Sequence, residues 1–390
     1  MLEGVAIIGA GFTGARPDSP EVSYKELMFE AASKAYEDAG VSPRKDVGSF
    51  IGVSEDFWEG TSIFDEYIPD QIGGALRPVC TICNDGLQGI ATGVMHIRSG
   101  IADIVVVEGH AKVSDVVNPQ GIMHFGLDPL LLRPLGYNAH VLAGIEMKRY
   151  LHEAQITRED CARVVVKNRG NALLNLRAAY GAKLSLDDVL CAPPAYEPMG
   201  ALEISNFADG ACVLVLASER VAKNAENPIW ITGIGWCNDT PNLGVRRWGY
   251  PRYVEFAAEQ AYAQAGIRDP SAELDMVEVD DTYAYKELQH IEALGIAEPG
   301  EAADLLQDGT FEIGGRLPVN ASGGSLGLGS LLDANGLVKT FEAVLQLRGM
   351  AGERQVSGAE QAAVQSWRGV PTTSAAVMVL SSENGGERVA

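Results

Sequence analysis

Three short stretches of this chain combine residue types that could do chemistry. Asp280-Asp281-Thr282-Tyr283 places two carboxyls beside a phenol, with Tyr285 next on the same period-2 face if a strand continues that far. Carboxyls ionise near ~4 and phenols near ~10, and both serve as general acids or bases when their surroundings shift them. Tyr283 is the candidate base, Asp280 the unusual neighbour, and Tyr285 a core ring. Cys83-Asn84-Asp85-Gly86 precedes a helix-like run. A cysteine at a helix N-terminus has its thiolate favoured by the dipole and can form an acyl-enzyme. Asp85, in the first turn of that helix, opposes this ionisation. Asn320, Gly323, Gly324, Gly327 and Gly329 form a run whose backbone can approach a ligand closely, and Ser330 either caps a helix from Leu331 or donates a hydrogen bond. His124 and His140 are candidates to enter the same pocket from the middle of the chain.

Each feature has a plainer explanation: Cys83 a small thiol, the aspartates caps of a helix beginning near Tyr285, the glycines a tight turn, the tyrosines packing. The other histidines, His96, His110, His152 and His290, show no metal spacing and read as surface residues. Cys80 and Cys83 make one C-x-x-C with no second pair or nearby histidine to complete four zinc ligands, so no metal is expected. The six cysteines are too sparse over 390 residues for a disulfide scaffold. A net charge of −22 would repel a phosphate backbone and argues against nucleic acid as a partner. No apolar run approaches the roughly 18 residues of a membrane span, and the start lacks a basic and apolar leader, so a cytoplasmic protein is expected.

Positioning these residues requires elements, and the chain announces them by repeating itself. Val5–Gly9 precedes Ile231–Gly235 by 226 positions. At the same offset Ala31–Val41 matches Ala257–Ile267 with six identities in eleven, and Phe50–Val53 falls on Met276–Val279. Each half therefore reads strand, helix, glycine stop, strand. Asp85–Ser99 then reads as a helix and Ala102–Glu108 as a buried strand, matched later by a helix from about Leu331 to Leu347 and a strand Ala375–Leu380. Gly210–Ala217 adds a strand to the first half. The pattern loosens between Val113 and Pro198, read as a loop or lid domain on the first half. The expected class is α/β, with mixed sheets covered by helices. The expected division is 1–112 with 199–226, an inserted 113–198, and 227–390. Ligand sites favour the seam between such halves.

Five segments, in order along nearly the whole chain, resemble the thiolase superfamily and its sterol-carrier-protein-x branch. Cys83-Asn-Asp-Gly86 with Ser99-Gly-Ile-Ala-Asp103 resembles the nucleophile motif Cys-Ala-Ser-Gly with its later Ser-Gly-x-x-Asp. Asn171-Ala-Leu-Leu-Asn175 resembles the loop-domain Asn-Ala-x-x-Asn, and Asp209-Gly-Ala211 the Asp-Gly-Ala closing the first half. Asp280-Asp-Thr-Tyr283 stands at the His-Asp-Cys-Phe position. Asn320-Ala-Ser-Gly-Gly324 with Gly329-Ser-Leu331 stands at Asn-x-x-Gly-Gly and Gly-His-Pro. Both catalytic histidines of the family are thus replaced, by Asp280 and Ser330.

The resemblance implies a thiolase fold, two duplicated mixed-sheet halves in a five-layer αβαβα arrangement with the inserted loop domain. It also implies a homodimer and an acyl-CoA substrate, with no tightly bound cofactor. Among relatives without the histidines, the chain most resembles the lipid-transfer-protein aldolases of steroid side-chain breakdown, which release a ketone and a shortened acyl-CoA with an OB-fold and zinc-ribbon partner protein. On that pattern Tyr283 is the base, backbone N–H groups around Cys83 and Gly323–Gly329 form the oxyanion hole, and an ionised Asp280 would hinder the enolate. Two alternatives stand beside it: a Claisen-type acetyl-CoA acetyltransferase using Cys83, and a non-catalytic acyl-CoA-binding subunit.

Overall fold

In the computed structural model, residues 4–55, 63–369 and 373–384 are described. Nine strands form one mixed sheet in the spatial order Val79–Ile82, Ser49–Val53, Ile104–Ala111, Gly210–Ser218, Val5–Phe12, Ile229–Asn238, Ser374–Ser381, Gln361–Arg368, Met276–Glu278. The two halves join where Val5–Ile7 pairs antiparallel with Ile229–Ile231. Val5 faces Ile231, Ile7 faces Ile229, and Ala6 faces Trp230, so a local twofold axis passes through the Ala6–Trp230 pair.

This symmetry corrects the gapless repeat. Val5 is the counterpart of Ile229, a separation of 224 positions, while the helices Tyr24–Ala39 and Arg252–Ala265 keep 226 through their glycine caps, Gly40 and Gly266. Strand–helix packing agrees. A Cβ added at Gly9 or Gly11 would lie 2.3 or 2.1 Å from the carbonyl oxygen of Ala35 or Ala31, and one at Gly233 or Gly235 would lie 2.0 or 2.3 Å from that of Ala261 or Ala257. Each strand thus carries two glycines because a helix backbone rests directly on it. The link from strand to helix is two residues longer in the second half.

Three apolar clusters fill the spaces between layers. One lies under the Tyr24–Ala39 helix. A middle one encloses the Gly86–Arg98 and Asn335–Leu347 helices between inner faces of both halves. The third lies on the outer face of the second half, beneath Arg252–Ala265 and Ala284–Ala293. This is the αβαβα layering. The inserted segment contributes the helices Ala139–Ala154 and Arg158–Ala172, whose Leu142, Met147, Tyr150, Val164 and Val165 belong to this third cluster. The insertion therefore packs on the second half, not on the first as expected, because its apolar stripes find their cover there.

Sequence reading passed over the strand Gln361–Arg368 and made Ala375–Leu380 the counterpart of the Ile104–Ala111 strand. In the sheet that counterpart is Gln361–Arg368, and Ser374–Ser381 matches Gly210–Ser218. Gln361, Gln365 and Ser366 are buried although polar, so no apolar run marks the strand. Val277 makes an isolated parallel bridge to Val319, a vestige of the fifth strand, so the segment from Asn320 follows Val319 as Cys83 follows Val79–Ile82. Among the described residues no helix is long and apolar enough to cross a membrane, and no cluster of three potential metal ligands occurs.

Candidate active site

At the seam lies a solvent-connected cavity of about 140 Å3. Tyr283, Phe207, Trp367, Leu332, Met123 and Ala139 give it an apolar wall, and Asp85, Thr282, Ser330, Asn335, Glu55, Asp333 and Arg368 its polar features. It brings together Tyr283, Asp85 and Ser330 from the sequence-derived set. Cys83, Asp280, Asn320, the four glycines, His124 and His140 are not on its lining, though His140 touches it through Tyr283.

Tyr283 is 3 % exposed, makes an isolated bridge to Ile204 and stands as the residue before the Ala284–Ala293 helix. Its hydroxyl lies 3.0 Å from His140 Nδ1, and the two rings meet edge to face at 5.8 Å. Burial first, then the charges of Glu146 and Asp280, pushes the Tyr283 phenol well above its ordinary value. Burial also lowers His140. The two groups share one hydrogen bond, and in the tautomer whose Nδ1 carries no proton the phenol donates to it, a relay in which Tyr283 takes a proton as it passes its own to Nδ1. Its neighbour Tyr285 is not on a strand. It lies in the first turn of the helix, its ring stacked on Tyr283 at 6.1 Å and its hydroxyl donating to Glu146 at 2.7 Å.

The aspartates divide their work. Asp281 accepts from Ser325 N at 2.5 Å, Leu326 N at 3.1 Å and Asn168 Nδ2 at 2.7 Å, and lies 3.6 Å from Lys339 Nζ. It holds the start of the short Gly324–Leu328 helix and does not cap the helix after Tyr283, as the capping expectation had it. Asp280 accepts from Thr282 N at 2.9 Å through one oxygen; the other has no hydrogen-bond partner among the described residues. Burial is the main cause that raises Asp280, against the pull of Lys339, so this carboxyl ionises less readily beside Tyr283 than an ordinary aspartate. Buried His290, contrary to the surface expectation, lies with Nδ1 3.0 Å from the Asp280 carbonyl oxygen.

Asp85 is the N-cap of Gly86–Arg98, one position before the helix and not inside its first turn. It accepts from Leu87 N at 2.9 Å and reaches Gly336 N of the facing helix at 3.1 Å. Burial raises it to about 6, against the pull of those two N–H groups. Cys83 lies outside the helix in an exposed loop, so the positive end of the helix meets Asp85 rather than a thiolate. Ser330 does not cap a helix either. Its hydroxyl accepts from Asn335 Nδ2 at 3.2 Å, and the 3-10 turn Leu332–Ala334 that follows has Leu331 at its N-cap, with the α-helix beginning at Asn335.

The glycine segment cannot be the oxyanion hole. The N–H groups of Gly323, Gly324, Gly327 and Gly329 bond to Asn320 O, Ser322 Oγ, Gly323 O and Ser325 O, and those of Ser325 and Leu326 to Asp281. The glycines serve close packing. A Cβ at Gly324 would lie 2.2 Å from Asp281 Oδ2, at Gly323 or Gly327 2.6 Å from Ala172 Cβ, and at Gly329 2.7 Å from Ala208 Cβ. Asn320 is equally occupied, accepting from Val279 N at 2.9 Å and donating to Glu287 at 2.7 Å. His124 lies off the cavity, 3.2 Å from the Tyr137 carbonyl oxygen. Sequence reasoning missed Trp367 and Arg368, which belong to the unrecognised strand, and Glu55 and Asp333, which both pair with Arg368. Burial lowers that guanidinium to about 10.

Residues 246–382 match the family model of the thiolase C-terminal domain-like proteins. The chain is 31 % identical over 369 residues, 92 % of its length and 94 % of the relative's, to a Methanothermobacter thermautotrophicus protein named acetyl-CoA acetyltransferase. It is 27 % identical to sterol carrier protein 2 of Gallus gallus, covering 93 % of this chain and 69 % of that one. The Ltp2-ChsH2(DUF35) aldolase structure superposes with a TM-score of 0.84 and 26 % identity, covering 98 % of both chains. Matching nearly end to end in sequence and in layering, the chain belongs to the thiolase superfamily, in its sterol-carrier-protein and lipid-transfer branch.

Proposed function

We propose that this thiolase-like enzyme cleaves a β-hydroxyacyl-CoA with a lipid or steroid side chain by a retro-aldol reaction, giving a ketone and a shortened acyl-CoA. The observation that carries it is the Tyr283–His140 contact at the cavity wall. Tyr283 takes the β-hydroxyl proton as its own passes to His140 Nδ1. The Cα–Cβ bond breaks, the ketone leaves, and the electron pair enters the thioester enolate, whose oxygen accepts from the Ser330 hydroxyl. The proton returns from His140 through Tyr283 to Cα. The likeness to an aldolase supports this reading, and that relative's ChsH2 supports a partner protein here, in our reading one with an OB fold and zinc ribbon that completes the acyl-CoA site. A ketone-release assay on a β-hydroxyacyl-CoA tests it; an inactive protein with the partner present removes it.

A Claisen acetyltransferase is the second reading, favoured by the name of the archaeal relative and by the presence of Cys83. Cys83→Ala separates the two. Lyase turnover should stay within about fivefold of wild type, and intact mass after incubation with acyl-CoA should show no added acyl group. Abolished activity in a folded variant would restore the covalent route. The half-buried strand Val79–Ile82 ends the sheet, and a homodimer covering it is part of the proposal. Sedimentation should give a dimer at micromolar concentration, and a stable monomer would remove this element.

A further inference from the structure

Behind the cavity lies a set of buried charges that the reaction as written does not use. Glu146 Oε2 and Lys286 Nζ are 2.8 Å apart with side chains 3 % and 0 % exposed. The same Glu146 oxygen accepts from Tyr285 at 2.7 Å, and Lys286 donates to Gln289 at 2.8 Å. One helical turn beyond Glu146, Tyr150 donates to Glu292 at 2.8 Å, and Glu292 also accepts from Gly300 N at 2.8 Å. Glu146 and Tyr150 belong to Ala139–Ala154; Tyr285, Lys286 and Glu292 belong to Ala284–Ala293. Successive links along one helix meet successive positions along the other, so the two run in the same direction.

Both helices begin at the cavity. His140 is the second residue of the first, next to the cavity-lining Ala139, and Tyr283 immediately precedes the second. One helix comes from the insertion and the other from the second half, so no local chain geometry sets the distance between His140 and Tyr283. Apolar packing alone tolerates sliding, whereas a buried ion pair with shared hydrogen bonds has one low-energy register. Lys286 also lies 4.6 Å from the Trp367 ring centroid, and that ring meets Tyr283 edge to face.

From this geometry we infer that Glu146 and Lys286 are positioning residues, a buried clamp that sets the register of two helices and so holds the Tyr283 hydroxyl on His140 Nδ1. As a claim about turnover it rests on the lyase reading; as a claim about the hydrogen bond it does not.

The test is 15N NMR of the His140 ring, with turnover on a β-hydroxyacyl-CoA that the wild type cleaves. Single replacements strand a buried charge, so the informative variant is Glu146→Met with Lys286→Met, which removes both charges and keeps apolar bulk. If it folds, its His140 Nδ1 resonance should move to that of an imidazole without the phenol contact. Its kcat should fall tenfold or more with KM within twofold of wild type. An unmoved resonance in the folded double variant overturns the clamp. If that variant does not fold, Glu146→Gln with Lys286→Met is read instead, since it removes both charges and keeps the volume and an acceptor for Tyr285. A shift in the same direction is expected, and none overturns the proposal. A moved resonance with undiminished turnover leaves the clamp standing and removes the lyase role of the pair.

Discussion

Tyr283→Phe should lower kcat for ketone release a hundredfold or more while leaving acyl-CoA binding nearly unchanged. The substitution removes one hydroxyl and keeps the ring, so the edge-to-face contacts with His140 and Trp367 persist. A positioned general base contributes about 10²–10⁴ in rate, whereas a hydroxyl that only closes a hydrogen bond contributes on the order of 1 kcal/mol. A phenol raised by burial does not stand as phenolate near neutral pH, so the relay needs His140 as its proton acceptor. His140 accepts only when unprotonated. Because burial lowers it, the acid limb of kcat/KM should lie below the ordinary histidine value of about 6.5 and disappear in His140→Gln. Tyr285→Phe, which leaves the Glu146–Lys286 ion pair intact, is the comparison and should cost no more than a few-fold. Equal losses in both tyrosine variants would indicate a shared packing defect, and a Tyr283→Phe enzyme within threefold of wild type would end the relay.

The largest stability effect is expected at Asp281. Asp281→Ala leaves the buried N–H groups of Ser325 and Leu326 without their acceptor, takes one of the two carboxylates that Asn168 Nδ2 reaches, and removes the carboxylate nearest Lys339. Unpairing two buried N–H donors and removing the nearest of the carboxyls that act on a buried cation costs about 3–5 kcal/mol. The same carboxylate fills the space over Gly324, whose φ of +56° admits no side chain easily, so the loss also opens a cavity. Urea unfolding should show the unfolding free energy falling by that amount, as a lower midpoint with little change in slope. A loss below about 1 kcal/mol would mean that water or a shifted Glu287 takes over the role. Asp281→Asn keeps the shape and one acceptor and should cost less.

Internal duplication, glycine stops and apolar strands were enough to read two α/β halves from the sequence, because a repeated hydrophobic period constrains each half separately. The helix after Asp85 came out within a residue, since Asp85 and Ser99 mark its ends by their own chemistry. The ordered motifs identified the superfamily, and Tyr283 could be singled out by its motif position.

What the sequence did not carry were relations between segments far apart. The two-residue slip between strand and helix registers shows only in cross-strand pairing. The Gln361–Arg368 strand is hidden because buried glutamine and serine side chains break the apolar pattern, and with it went Trp367 and Arg368. That the glycine segment has already used its N–H groups, that Asp85 rather than Cys83 receives the helix N-terminus, and that His140 meets Tyr283 across 143 positions are decisions of tertiary packing. Hydrogen-bond partners and burial are properties of neighbours in space. A residue's type states what it can do, and only the surroundings fix its proton affinity and whether its donors are already spent.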